Sequence, residues 1–296
     1  MKTEEQNEDA RNLHEKSTDQ ILRIINSEDQ KVACAVEKVL PEIELLVEKF
    51  VKTYKKGNDI CYIGAGTSGR IGVLDASEIP PTFRVPPDRV KGLIAGGKKA
   101  FGSAEESKED DEQAGAERVT EEMREGDLLI GISASGETPF VLGGLKKAKE
   151  TGIATAAVTS NEDTSIEEVA ETTVVAETGP EVIAGSTRMK AGTAQKMILN
   201  MVSTAAMINL GKVYDNFMID VVPTNEKLKN RAIRTLQQLT DRGQDDIKVA
   251  LEKSDFEVKP ALLSLKFEVS VDKARNALSK SNGFLKPAMK EFEDRA

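Results

Sequence analysis

Five short apolar runs, at 60–63, 90–95, 128–132, 153–158 and 173–176, constrain this 296-residue chain more than any other feature. Most end in Gly, Ser or Thr, and stretches with helical periodicity, such as 141–150, separate them. Strands that alternate with helices build a mostly parallel sheet. Strands that are apolar throughout fit a sheet covered by helices on both faces. The expectation is an α/β fold, a parallel sheet flanked by helices, over about 50–225. A helical segment at 1–49 would precede it, and a small helical module at 226–296 would follow.

Local signals describe the flanks. Ser17 with Gln20 and Ser27 with Gln30 match the capping-box pattern and predict two short helix starts. Pro41 suits the first turn of the next helix, with Leu45, Leu46, Phe50 and Val51 inward, and Lys55, Lys56 and Gly57 close it. Residues 1–16 are polar and acidic, and are expected to order only against another surface. A long helix is predicted at about 188–210, followed by charged helices toward residue 240. Near the end, Ala250-Leu251-Glu252-Lys253-Ser254 returns as Ala277-Leu278-Ser279-Lys280-Ser281, and Lys259-Pro260-Ala261 as Lys286-Pro287-Ala288. Both offsets are 27 residues. Two copies of a helical hairpin follow from that repeat.

Composition narrows the function. The formal net charge of −9 disfavours non-specific attachment to nucleic acid or to an anionic membrane. The apolar stretch at 197–210 is interrupted by Asn200, Ser203, Thr204 and Asn209, and is too short and too polar to span a bilayer. Cys34 and Cys61 make no disulfide framework and no metal spacing, and both are expected as buried thiols of a reducing compartment. With no apolar leader core in 1–16, the expected location is cytoplasmic. The single histidine, His14, lies in that polar segment. A histidine base or histidine-rich metal site is therefore not expected, and proton transfer near pH 7 falls to Glu, Asp, Lys or Tyr.

Four segments could carry chemistry. After the first strand comes Gly64-Ala65-Gly66-Thr67-Ser68-Gly69-Arg70, a G-x-G-x-x-G match. A dinucleotide site also needs an acid ending the second strand, and here that strand ends Ile94-Ala95-Gly96-Gly97. Thr67 and Ser68 instead set hydroxyls beside free N–H groups at a helix start, which suits a phosphate or a sugar hydroxyl. The third run leads into Ser133-Ala134-Ser135-Gly136-Glu137-Thr138-Pro139. Ser133, Ser135 and Thr138, with backbone N–H groups and a helix N-terminus, can satisfy a phosphate dianion without arginine. The segment 179–190 holds Glu181, able to bind a sugar hydroxyl or move a proton, and Ser186 and Thr187, both good helix caps. The stretch 75–83 places Glu78 before Pro80 and Pro81, as a rigid loop would hold an acid near a phosphate site.

These strings together resemble the sugar-isomerase (SIS) domain family. Within it, LDASEIPPTFRVPP, LIAGG, GPEVIAGSTRMKAGTAQKMILNMVST and LGKVYDNFMIDV closely resemble the N-acetylmuramic acid 6-phosphate etherase family, over about 18–234. The resemblance implies a phosphorylated amino-sugar substrate, N-acetylmuramic acid 6-phosphate. Its lactyl ether would be cleaved to N-acetylglucosamine 6-phosphate and D-lactate, in recycling of cell-wall amino sugars. It implies a homodimer that needs no metal or cofactor, with an active site shared between subunits. It makes Glu78 the acid–base group, Glu109 a second catalytic glutamate, and Ser133, Ser135 and Thr138 the phosphate loop, with Gly66, Thr67, Ser68, Glu181, Ser186 and Thr187 as further binding residues. The chain departs from the family pattern at Glu137 and Gln6, where Arg is usual, and at Ile79, where Cys is usual.

The expected chemistry is ring opening, removal of the C2 proton by a carboxylate, loss of lactate from C3, and addition of water to the unsaturated aldehyde. Two alternatives stay open at this point. One is aldose–ketose isomerisation of another sugar phosphate, with Glu181 as the C2 base. The other is a non-catalytic sugar-phosphate sensor.

Overall fold

Every apolar run forms a strand in the computed structural model, which describes residues 1–102, 106–221 and 225–293. Short 3-10 turns within residues 2–15 lead to α1 (Thr18–Glu37) and α2 (Leu40–Lys55). The alternating part is β1 (Ile60–Gly64), α3 (Gly66–Phe83), β2 (Val90–Ile94), α4 (Glu112–Glu122), β3 (Leu128–Ile132), α5 (Pro139–Glu150), β4 (Ala154–Thr159), α6 (Ser165–Val169), β5 (Thr173–Val175) and α7 (Lys190–Asn209). A hairpin of β6 (Val213–Tyr214) and β7 (Phe217–Met218) precedes α8 (Glu226–Leu239), α9 (Gln244–Lys253), α10 (Val258–Phe267), α11 (Val271–Lys280) and α12 (Leu285–Glu293).

The main sheet is parallel throughout, in the order β2-β1-β3-β4-β5. All residues of β1 and β3 are buried, because helices cover both faces. On one face Ile63, Leu129 and Ala157 pack with Val119 of α4 and Phe140, Val141 and Leu145 of α5. On the other, Gly72 of α3 lies so close to Tyr62 and Ile132 that a Cβ would meet each at 3.0 Å. Strands β1 and β3 are neighbours, with Gly64 opposite Ile132. The chain leaves β1 for β2 on one side and builds β3, β4 and β5 on the other. The carboxyl ends of β1 and β3 therefore flank the reversal of connectivity, where open parallel sheets hold their ligands.

By contacts the chain divides into two units, residues 1–78 with 86–206, and residues 79–85 with 207–296. The sheet belongs to the first. The second has its own apolar core, including Leu236, Leu251, Leu262, Leu263, Ala274 and Ala288. The repeat appears there as α9–α10 and α11–α12. Ser254 and Ser281 end α9 and α11 with nearly equal dihedrals, φ −95, ψ 12 and φ −96, ψ 15. The two turns that follow share one path: the N–H of Phe256 reaches the Leu251 carbonyl at 2.7 Å, and that of Gly283 the Leu278 carbonyl at 2.8 Å.

Several local readings change. The Ser17–Gln20 capping box is present, but Ser27 and Gln30 lie inside one continuous α1. No Gly or Pro interrupts 18–37, and extending a helix costs far less than nucleating a second. Cys61 is buried, whereas Cys34 is exposed. The buried face of α1 is Glu28, Val32, Ala35 and Val36, and Cys34 falls off that stripe. Leu45 is likewise exposed, while Leu46 and Phe50 point into the core. Pro80 and Pro81 sit inside α3, so the stretch expected as a rigid loop is the last turns of a helix.

Candidate active site

The Ser133–Thr138 loop forms because the central strand β3 ends at Ile132 and Pro139 starts α5 at its first turn. Ser133 Oγ lies 2.8 Å from Thr138 Oγ1 and 3.3 Å from Ser135 Oγ. Ser133 Oγ also accepts from the Gly136 N–H at 3.0 Å, and Ser135 Oγ from the Glu137 N–H at 3.1 Å. Three hydroxyls thus meet at the positive end of a 12-residue helix. Gly136, at φ +78, is required: a Cβ there would meet Thr164 Oγ1 at 2.4 Å.

The glycine loop after β1 stands beside it, since β1 and β3 are paired. It opens α3 with Gly66 at φ +51. Glu109 closes on that turn, with Oε1 2.8 Å from where a Gly66 Cβ would be. The Glu109 carbonyl in turn accepts from the Phe140 N–H at 3.0 Å, in the first turn of α5. Glu109 is therefore fixed between the starts of α3 and α5. Ser68 is buried, and Thr67 is half-buried with its methyl facing Gly192, near the start of α7.

That start is capped from upstream. Glu181, fully buried, accepts from the N–H groups of Lys190 and Ala191, each at 3.0 Å. A carboxylate at a helix N-terminus satisfies two orphan donors and the helix dipole together. Ser186 and Thr187 are half-buried in the turns just before it. Lys190 pairs with Glu28 of α1 at 2.6 Å, with side chains only 1% and 2% exposed. Burial alone would raise the Glu28 pKa, but hydrogen bonds from Lys190, Lys31 and Asn7 outweigh it and bring it to about 2.

Two acidic residues complete the picture. Glu137 turns away from the hydroxyl loop: Oε1 accepts from the Ser165 N–H at 2.8 Å, and Oε2 from the Ser165 hydroxyl at 2.6 Å. Its carboxylate is directed at the start of α6, away from the three hydroxyls. Glu78 is exposed on α3, one turn beyond Leu74, which is also exposed. Twelve residues of helix separate it from Gly66, roughly 18 Å along the axis.

The fold thus gathers Gly66, Thr67, Ser68, Glu109, Ser133, Ser135 and Thr138 at the carboxyl ends of β1 and β3, with Ser186 and Thr187 near the start of α7. Glu181 is withdrawn into the helix cap, and Glu78 stands apart on α3. Sequence reasoning missed Asn161, whose amide donates to the Ala134 carbonyl at 2.8 Å, and the Glu28–Lys190 pair. The one available signal was Lys190 itself, a charge at the head of an apolar helix. Among the described residues, no group of three or more His, Cys, Asp and Glu is arranged to hold a metal, and no helix is long and apolar enough to cross a membrane.

A parallel sheet with two helix-start loops at its switch point defines an SIS-type domain. The family models agree: the SIS domain matches residues 109–205, and the glucokinase regulatory protein N-terminal SIS domain matches residues 42–149. A phosphoheptose isomerase from Francisella tularensis shares the fold, with a TM-score of 0.51 at 17% identity, covering 65% of this chain and 99% of its own. N-acetylmuramic acid 6-phosphate etherase 1 of Bacillus licheniformis is 48% identical, over 99% of this chain and 97% of its own length. The N-acetylmuramic acid 6-phosphate etherase of Bacillus subtilis is 45% identical, over 99% and 96%. The chain belongs to the N-acetylmuramic acid 6-phosphate etherase family.

Proposed function

We propose that this chain cleaves the lactyl ether of N-acetylmuramic acid 6-phosphate. One water is consumed, and N-acetylglucosamine 6-phosphate and D-lactate are released. The observation that carries the reading is Glu109 held against Gly66 beside the Ser133–Ser135–Thr138 cluster, in a chain 48% identical to an etherase along nearly its whole length. The hydroxyl cluster, loop N–H groups and two helix N-termini take the 6-phosphate. Binding the open-chain aldehyde acidifies C2–H. Glu109 takes that proton to leave an enolate, whose electron pair then forms the C2–C3 double bond as the C3–O bond breaks. Glu78 protonates the departing lactate oxygen. Water then adds at C3, and C2 is reprotonated. No step needs a histidine.

Glu78 lies roughly 18 Å along α3 from the loop of its own chain. It therefore serves the site of a second copy, which makes the enzyme a homodimer with shared sites. The exposed pair Leu74 and Glu78 on one face of α3 supports this, since an apolar residue and an acid at that spacing suit a covered surface. The location proposed is cytoplasmic, where a phosphorylated sugar is retained. Isomerisation with Glu181 as base is not taken up, because both Glu181 oxygens already accept helix N–H groups.

Incubation with N-acetylmuramic acid 6-phosphate tests the reading, with D-lactate and N-acetylglucosamine 6-phosphate expected in equal amounts. Glu78→Gln is expected to stop lactate release while C2–H still exchanges in deuterated water, and Glu109→Gln to stop both. Ketose formation without lactate would overturn the assignment.

A further inference from the structure

The first ten residues do more than cover a surface. Thr3 is fully buried, and its backbone N–H donates to Asn161 Oδ1 at 3.3 Å. Thr3 Oγ1 accepts from Asn161 Nδ2 at 3.0 Å. The same Nδ2 donates at 2.8 Å to the carbonyl of Ala134, in the middle of the hydroxyl loop. The Thr3 carbonyl accepts from the Gly185 N–H at 3.2 Å, just before Ser186 and Thr187. Four residues on, buried Asn7 donates to the Pro180 carbonyl at 3.1 Å. Lys2 adds an outer ion pair with Glu177.

Hydrogen bonds therefore run from the Ser133–Thr138 loop through Asn161 and Thr3 to Gly185, and the same short stretch of backbone carries Asn7 to Pro180, in the segment that leads into α7. These two parts of the site lie about fifty residues apart in the chain, and within this network residues 2–7 join them. We propose that residues 2–7 are a positioning strap for the sugar-phosphate site, with Thr3 and Asn7 as its positioning residues. Neither side chain touches the reacting atoms. Thr3 fixes the Asn161 amide, which aims the Ala134 peptide and with it the Ser133 and Ser135 hydroxyls. Asn7 fixes the Pro180 peptide, next to Glu181, which caps the head of α7. A site held by such supports binds without first paying the ordering entropy of its loops.

The inference rests on the loop binding a sugar phosphate, so its test reads binding as well as turnover. Full-length Thr3→Val, Asn7→Ala and the double variant are compared with wild type for affinity toward N-acetylglucosamine 6-phosphate, by calorimetry. Amide hydrogen exchange across 133–138 and 180–187 is followed in parallel. Each single variant is expected to weaken binding about fivefold, the worth of one lost hydrogen bond, and the double variant more than either. Exchange should quicken in both segments, KM should rise in step with the binding constant, and kcat should stay within a factor of about three. Val32→Ala, a core change on α1 outside the strap, is the control for general destabilisation: it is expected to lower the melting temperature and leave affinity and loop exchange unchanged. Wild-type affinity and loop exchange in the double variant would overturn the strap. So would equal losses in Val32→Ala. Loss of strap-dependent binding in a chain that releases no lactate would instead fault the proposed reaction and leave the strap standing.

Discussion

Glu28 and Lys190 stand 162 residues apart in the chain and 2.6 Å apart in the fold. Taking both charges out of water is costly, and their contact repays the cost only while both are present. Glu28→Gln leaves the ammonium buried without its counter-charge, so a loss of about 3–5 kcal/mol is expected at pH 7 in denaturant unfolding. The pH dependence carries a second signature. The folded pKa of about 2 lies below the ordinary 4.5, so the unfolded chain takes up protons first as pH falls. Stability from this group is whole above pH 4.5 and drains away toward pH 2. Unfolding midpoints measured across that range should slope in the wild type and lose this part of the slope in Glu28→Gln. The sequence could not disclose the pair, because a lone Glu on α1 reads as solvated surface until its distant partner is known. Asn161 was hidden for the same reason. Its partners, Thr3 and Ala134, lie 158 and 27 residues away.

Individual elements were far more legible. Strand positions follow from apolar runs alone, and the two loops at the helix starts from their Gly and Ser residues, since both signals are local. Helix boundaries failed where a non-local contact took over. The start of α7 is set by Glu181 from upstream rather than by Ser186 or Thr187, and Pro80 and Pro81 are tolerated within α3. Two glycines separate the kinds of constraint that elements impose. At Gly66 a Cβ would press on Glu109 Oε1, so Gly66→Ala should displace the carboxylate proposed as the base with little change in circular dichroism. Turnover is expected to fall about a hundredfold, as displacing a reacting group by an ångström can do. At Gly283 a Cβ meets nothing within 4 Å, and only the φ of +78 opposes it. Gly283→Ala should therefore cost about 1 kcal/mol in thermal unfolding and leave turnover alone. The repeat supplies a natural comparison, because Phe256 already occupies the equivalent turn at φ +60 and is partly buried against the core of its unit.

For the whole molecule, the proposed reaction turns on which copy would supply Glu78. The helix α3 puts Glu78 and Gly66 at opposite ends of about three turns, and a single sugar phosphate cannot bridge that span. If each site joins Glu109 of one copy with Glu78 of another, neither Glu78→Gln nor Glu109→Gln is active alone, but each chain keeps what the other lacks. Mixing equal amounts after reversible unfolding gives half mixed dimers, and each mixed dimer holds one intact site and one doubly altered site. About a quarter of wild-type D-lactate release is then expected to return, with KM at its wild-type value because the surviving site is unaltered. A site built wholly within one chain gives no recovery at any mixing ratio, since every chain carries a lesion. The same mixture, run through a sizing column at falling concentration, should lose the recovered activity where the dimer dissociates.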